Sequence, residues 1–191
     1  MAGLDPAGQS VCGQTSQESP PLKREVVPVS RVVPAIIDVE ASGFGRGSYP
    51  IEIGFALEDR EVKSCLILPA DSWTHWSDEA EAIHGISRDQ LREEGLSVRD
   101  VALFLNEELR GKTLYSDAWS FDSSWIGRLF EEAELVQRFR IETINKLLTP
   151  DQMENWQGTK KDLWQEFSLS RHRAANDVRV LQETFLRVIT A

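Results

Sequence analysis

Three apolar segments, AIIDVEA, SYPIEIGFALED and EVKSCLILP, follow one another from Ala35 with links too short to hold a helix. In the second, Ile51, Ile53, Phe55 and Leu57 alternate with period two, and Asp59-Arg60 makes a tight connection to the third. Segments of this length and alternation are strands, and strands joined by such short links pair antiparallel. A chain that starts as a meander of three strands needs helices to cover the sheet, so the remainder must supply them.

It does. SVRDVALFLNEELRG places Val98, Val101, Ala102, Leu105 and Leu109 on one helical face, with Ser97 as N-cap and Gly111 as stop. KTLYSDA then has the length of a short strand, and FDSSWIGRLFEEAE is helical. A strand entered from a helix and left into a helix joins a sheet in parallel. One further short strand is expected around FRIET, followed by helix-biased sequence from Thr143 to Phe167, broken near LTPDQ. From Ala174, the positions Ala174, Val178, Leu181, Phe185 and Val188 recur in steps of four and three, as in a helix packed on a sheet. The expected architecture is an α/β sandwich with a mixed sheet.

The 191 residues suit a single domain. Residues 1–33 are rich in Gly, Ser, Gln and Pro and read as a flexible arm, leaving 34–191 as the folded unit. No apolar run approaches a membrane span or a secretory signal, so a soluble, cytoplasmic protein is expected. Only Cys12 and Cys65 are present, which gives little support to a disulfide or a cysteine metal site. The formal net charge of -10 argues at first against a nucleic-acid partner. Its distribution weakens that objection: residues 34–156 carry 24 acids against 12 bases, whereas residues 157–191 carry four against six. Carboxylates gathered at a site can be neutralised by divalent metal.

Asp38 and Glu40 lie two apart on the first strand and therefore project from the same face. Like charges so close repel unless a cation lies between them or one is protonated. Further along, Asp122 follows Phe121 at the start of a predicted helix, and HRAANDV supplies His172 and Asp177 around the start of the last one. Taken singly, each has an ordinary alternative: Asp122 as a helix N-cap and His172 as a solvated loop residue.

The ordered set D-x-E in DVEASG, F-D in SFDSSWI and H-x-x-x-x-D in HRAANDV resembles the three exonuclease motifs of the DEDDh family of 3′-to-5′ exonucleases. IHGIS, Ile83 to Ser87, resembles a segment these enzymes carry between the first two motifs. The resemblance runs from about Ala35 to Val188. It implies a ribonuclease H-like three-layer α/β sandwich with a mixed five-stranded sheet. It further implies that Asp38, Glu40, Asp122 and Asp177 hold two Mg²⁺ or Mn²⁺ ions and that His172 is the general base. Hydrolysis would proceed from the free 3′ end of a single-stranded nucleic acid, RNA or DNA, in a protein that is often a homodimer. Departures from the pattern are ASG, where many members have Thr, and SDAWSFD, where many have Asn before the F-D pair. Asp117 thereby competes with Asp122 for the third carboxylate, with Asp122 favoured by its F-D context.

Candidate substrate contacts are Ser42, Gly43, Trp73, Trp76, His84 and Arg171, with Lys160, Lys161 and Arg173 as further basic groups near the third motif. Tryptophans can stack bases of any sequence, but core packing is an equal expectation for them. Two other functions remain open at this point: a non-catalytic nucleic-acid-binding module, and a phosphohydrolase of free nucleotides.

Overall fold

The computed structural model describes residues 33–190, so the expected arm lies outside the described residues apart from Val33, as does Cys12. The meander is present as β1 (Ile36–Ala41), β2 (Pro50–Ala56) and β3 (Val62–Leu68), paired antiparallel. After α1 (Asp78–His84) and α2 (Arg88–Glu94), a two-residue strand β4 (Leu96–Ser97) joins β3 in parallel. Then come α3 (Val98–Leu109), β5 (Thr113–Ser116), α4 (Trp119–Glu132) and β6 (Arg140–Thr143). A 3-10 turn at Ile144–Leu147 leads to α5 (Pro150–Phe167) and α6 (Ala174–Val188). The sheet order is β4-β3-β2-β1-β5-β6, with β5 parallel to both β1 and β6. This is the expected mixed α/β architecture with six strands rather than five. The addition is β4, which is too short to show a period and whose Ser97 also caps α3.

Local sequence accounts for the helix ends. Ser77 and Ser87 accept hydrogen bonds from the third residue of α1 and α2, and Gly85 ends α1 in the left-handed region. Thr149 and Gln152 form a reciprocal capping box for α5, with Pro150 at its first position. LTPDQ thus holds the expected break, between the 3-10 turn and the capped start of α5.

Two apolar layers flank the sheet. On one side Ile37, Val39, Ile51, Ile53 and Phe55 pack with Val101, Leu105, Ile126 and Leu129 from α3 and α4. On the other, Ile36 and Ala56 pack with Trp156 of α5 and Val178, Leu181 and Phe185 of α6. Strand alternation then puts Asp38, Glu40, Glu52 and Gly54 on the α6 side, where Asp38 pairs with Gly54 and Glu40 with Glu52 across β1 and β2. The same sheet face changes from apolar to acidic along β1, and it does so under the N-terminus of α6.

Gly54 is what lets α6 approach. A Cβ built there would lie 2.5 Å from the Ala174 carbonyl carbon and 2.9 Å from the Ala175 nitrogen, both backbone atoms. Gly54→Ala should therefore cost about 1–3 kcal/mol, as overpacking typically does, and should lift Asp177 away from Asp38 and Glu40. Thermal unfolding combined with Mn²⁺ titration checks this, the expected outcome being loss of both stability and metal affinity.

Candidate active site

The sequence-predicted acids converge. Carboxylate oxygens of Asp38, Glu40 and Asp177 lie within 4.8 Å of one another. With Asp122, His84 and His172 they line one cleft of about 440 Å³, which also includes Gly43, Phe44, Ile83, Phe121 and Trp125.

Each acid is held by the fold. Asp38 and Glu40 are fixed by strand alternation. Asp122 is in the first turn of α4, whose N-cap is Ala118 and lacks a side-chain cap, so Asp122 is not the N-cap. Its side chain is 1% exposed and its Oδ2 accepts a hydrogen bond from the Ser116 hydroxyl at the end of β5. Asp177 Oδ2 accepts from the backbone N–H of Arg173 at 3.0 Å, one turn earlier. Asp117 forms an ion pair with Lys160 of α5 at 2.6 Å and does not line the cleft. Lys160 is thereby occupied on a carboxylate rather than free to face a phosphate.

The N-terminus of α6 is anchored by a residue that sequence reasoning passed over. Glu52, 2% exposed, accepts from Arg173 Nε and Nη2, the latter at 2.9 Å, and from the Ala174 backbone N–H at 2.9 Å. A charged, partly bidentate pair plus a backbone donor fixes orientation as well as position. His172 immediately precedes this anchor, in the left-handed region with φ 59°, a conformation histidine tolerates better than most residues.

Crowding sets the protonation of the site. Burial, then Asp122, Asp177 and Glu40, push Asp38 well above the usual carboxylate range. Glu40 is raised to about 8, chiefly by burial and then by Asp177 and Glu52. Asp122 is raised to about 7 by burial, against the Ser116 hydrogen bond. Asp177 is raised to about 6, again by burial, against the Arg173 N–H. His172 is lowered by burial and by Arg171 and Lys160, and so favours the neutral imidazole. Four crowded, partly or fully buried carboxyls, offset only in part by the Ser116 hydroxyl, the Arg173 N–H and nearby positive charge, fit a divalent cation, and an all-oxygen donor set suits hard ions.

A pH signature follows. All four carboxyls hold protons more tightly in the folded than in the unfolded chain, where they titrate near 4. Their contribution to metal-free stability is therefore full below about pH 4, and it is lost as pH rises through about 6, 7 and 8 for Asp177, Asp122 and Glu40. Mn²⁺ should reverse the loss. At 100-fold excess over Kd it adds about 2.7 kcal/mol, or roughly 5–10 °C in Tm for a chain of this size. Melting curves with EDTA and with Mn²⁺ from pH 5 to 8.5 check this: the metal-induced rise in Tm should grow with pH.

The candidate substrate contacts divide. Gly43 and His84 line the cleft. A Cβ at Gly43, where φ is 136°, would meet Ser77 Cβ at 2.7 Å, so glycine is needed for the close approach of that segment. His84 is 6% exposed; its Nδ1 accepts from the Ile86 N–H at 3.0 Å, and its Nε2 is buried without a partner among the described residues. Ser42, Trp73, Trp76 and Arg171 do not line the cleft. Ser42 is buried and tied to His75 Nδ1 at 2.9 Å and to the Tyr49 N–H. Trp73 is a core residue stacked on Tyr49, with its indole N–H on Glu132. Trp76 gives its N–H to Glu81 and meets the His84 ring edge-on at 6.3 Å. Arg171 lies over Trp164, 5.6 Å from its ring centroid.

The aromatic groups of the cleft were not foreseen. Phe44, 70% exposed, meets Phe121 edge-on at 5.3 Å, and Phe121 stacks on Trp125 at 5.7 Å. An apolar residue left exposed in the glycine-rich turn SGFGRG was the one available signal.

Comparison with known proteins gives likeness of fold alone. No protein-family model matches the sequence, and no curated protein matches it. Among solved structures, the chain is similar to E. coli Exonuclease I in complex with a dA16 oligonucleotide, with a TM-score of 0.63 and 14% identity. It is similarly close to the same enzyme with dT13, at 0.62 and 14%, and to the zinc-bound ExoI–ssDNA complex, at 0.63 and 14%. In each case the match covers 82% of this chain and 40% of the other, so the chain corresponds to well under half of those proteins. The architecture built above from strand order and helix placement is the one found in that part of an exonuclease.

Proposed function

We propose that the chain is a metal-dependent 3′-to-5′ exonuclease of single-stranded nucleic acid. The observation that carries this reading is the meeting of Asp38, Glu40, Asp122, Asp177 and His172 in one cleft with exposed aromatic rings. The four acids would hold Mg²⁺ or Mn²⁺, two ions being the number that four carboxylates facing a phosphodiester suit. When bound, the metal supplies Lewis-acid activation of water and neutralises charge on the departing oxygen.

The chain's own residues do the rest. His172, kept neutral, takes the proton of the attacking water. Attack on the last phosphodiester breaks the bond to the 3′ oxygen of the preceding nucleotide, releasing a 5′-mononucleotide and leaving a new 3′-hydroxyl. Glu52 and Arg173 keep His172 and Asp177 aimed at the site by fixing the start of α6. Phe44 and Phe121 offer faces for terminal bases, a contact tolerant of sequence. The unpartnered Nε2–H of His84 is a donor for an acceptor on the same nucleotide. The single-stranded DNA held by the structurally similar Exonuclease I supports a DNA strand as the first substrate to try.

Polarity tests the reading. A strand blocked at its 3′ end should resist digestion, and the same strand blocked at its 5′ end should be shortened. Equal attack on both, or internal cuts, would contradict it.

A further inference from the structure

A second feature lies behind the wall of the cleft. A cavity of about 360 Å³ is lined by Tyr49, Pro69, Asp71, Trp73, Arg88 and Arg92, among others. In a chain of net charge -10 this is an unusual place to gather cations. Two of its lining side chains, Arg88 and Arg92, are guanidiniums, against one carboxylate, Asp71, and Arg128 stands in an adjoining cavity that shares Trp73. Arg88 stands 4.9 Å from the Trp76 ring centroid and gives one N–H to the Thr74 carbonyl, and Arg128 stands 5.6 Å from that of Trp73 and donates to the Ser48 carbonyl. Among the described residues, neither Arg88 nor Arg128 has a carboxylate within 4.0 Å. Arg92 is paired with Asp89 at 2.6 Å, but both side chains are exposed, 63% and 83%, and such a pair is held weakly enough for another anion to compete.

The cavity is connected to the cleft through one side chain. The Trp76 ring has His84, a wall of the cleft, on one edge at 6.3 Å and the Arg88 guanidinium over it at 4.9 Å. A guanidinium held against an aromatic ring, with donors left over and no carboxylate partner, is arranged for an anion that arrives from outside.

We propose that the Arg88–Arg92 cavity is a phosphate-binding subsite for the single strand upstream of its 3′ end, so that the strand runs from the cleft past Trp76. This rests on the exonuclease reading for its substrate, but it concerns a different surface and different residues. It predicts that affinity grows with strand length once the strand reaches the arginines. Trp76 then serves the strand by holding Arg88 rather than by stacking a base.

The test uses the full chain carrying Asp38→Asn, so that the probe survives, and fluorescence anisotropy with 5′-labelled dT12 and dT3. Replacing Arg88 and Arg92 by glutamine should reduce the slope of log affinity against log salt for dT12 by about 1.4, at 0.7 per phosphate contact. The affinity for dT12 at 0.1 M salt should fall about 10- to 30-fold, while that for dT3 should not follow. Arg92→Gln alone, at an exposed position that cannot upset the fold, should lower the slope by about 0.7. An unchanged slope in both variants, or an equal loss for dT3, would overturn the subsite. The two readings fail separately. Degradation of dT12 by the unmutated chain with an unchanged slope removes the subsite alone, and a reduced slope without degradation removes the exonuclease alone.

Discussion

Asp38→Asn should lower metal-dependent hydrolysis by about 10³-fold or more, while raising the melting temperature of the metal-free protein at pH 8. Both effects have one cause. Asp38 is buried among Asp122, Asp177 and Glu40, so its negative charge is costly until a cation neutralises it. Asparagine keeps the shape, removes the charge and removes one of the proposed metal ligands. Several kcal/mol of transition-state stabilisation by the metal correspond to at least three decades in rate. The opposite signs separate a site residue from a structural one, because a substitution that merely damages the fold lowers stability and activity together. Initial rates on a labelled strand and melting curves in EDTA measure the pair.

The second large effect is expected at His172. His172→Asn, which keeps a side chain tolerant of the left-handed backbone at that position, should reduce kcat by about 10²–10⁴-fold, the usual worth of a general base. Affinity for Mn²⁺ should be retained, because the carboxylates remain. Burial, Arg171 and Lys160 lower the pKa of the wild-type imidazole, so with saturating metal the acid limb of kcat should have its midpoint below the ordinary histidine value near 6.5. That limb should flatten in the variant. Single-turnover rates between pH 5 and 8 read both the loss and the change of profile.

The site was legible where its parts obey local periods. Asp38 and Glu40 stand two apart on a strand, and Asp177 follows the apolar period of the last helix, so their faces could be read from the sequence. The anchoring of that helix could not. Glu52 lies between Ile51 and Ile53, a pattern that an exposed strand also shows, yet β2 is central and buried along its whole length. Its partner Arg173 is 121 residues away, and no local rule links the two. Gly54 likewise looks dispensable until α6 is placed on it. The tryptophans left base stacking and core packing equally open for the converse reason: Trp73 sits in a polar, loop-like stretch, and Tyr49 and Glu132, both distant in sequence, decide for packing. The register of β4 escaped because two residues carry no period. Long-range packing decided each of these, while the acidic face needed only alternation.

The most direct measurement is digestion of a 5′-labelled single strand by the full chain with Mn²⁺, with EDTA, and with Asp38→Asn in place of the native residue. A descending ladder that appears only with metal and with Asp38 is the predicted result. A full-length label in every lane, from protein shown to be folded, would contradict the account and leave the acidic cleft without a catalytic role.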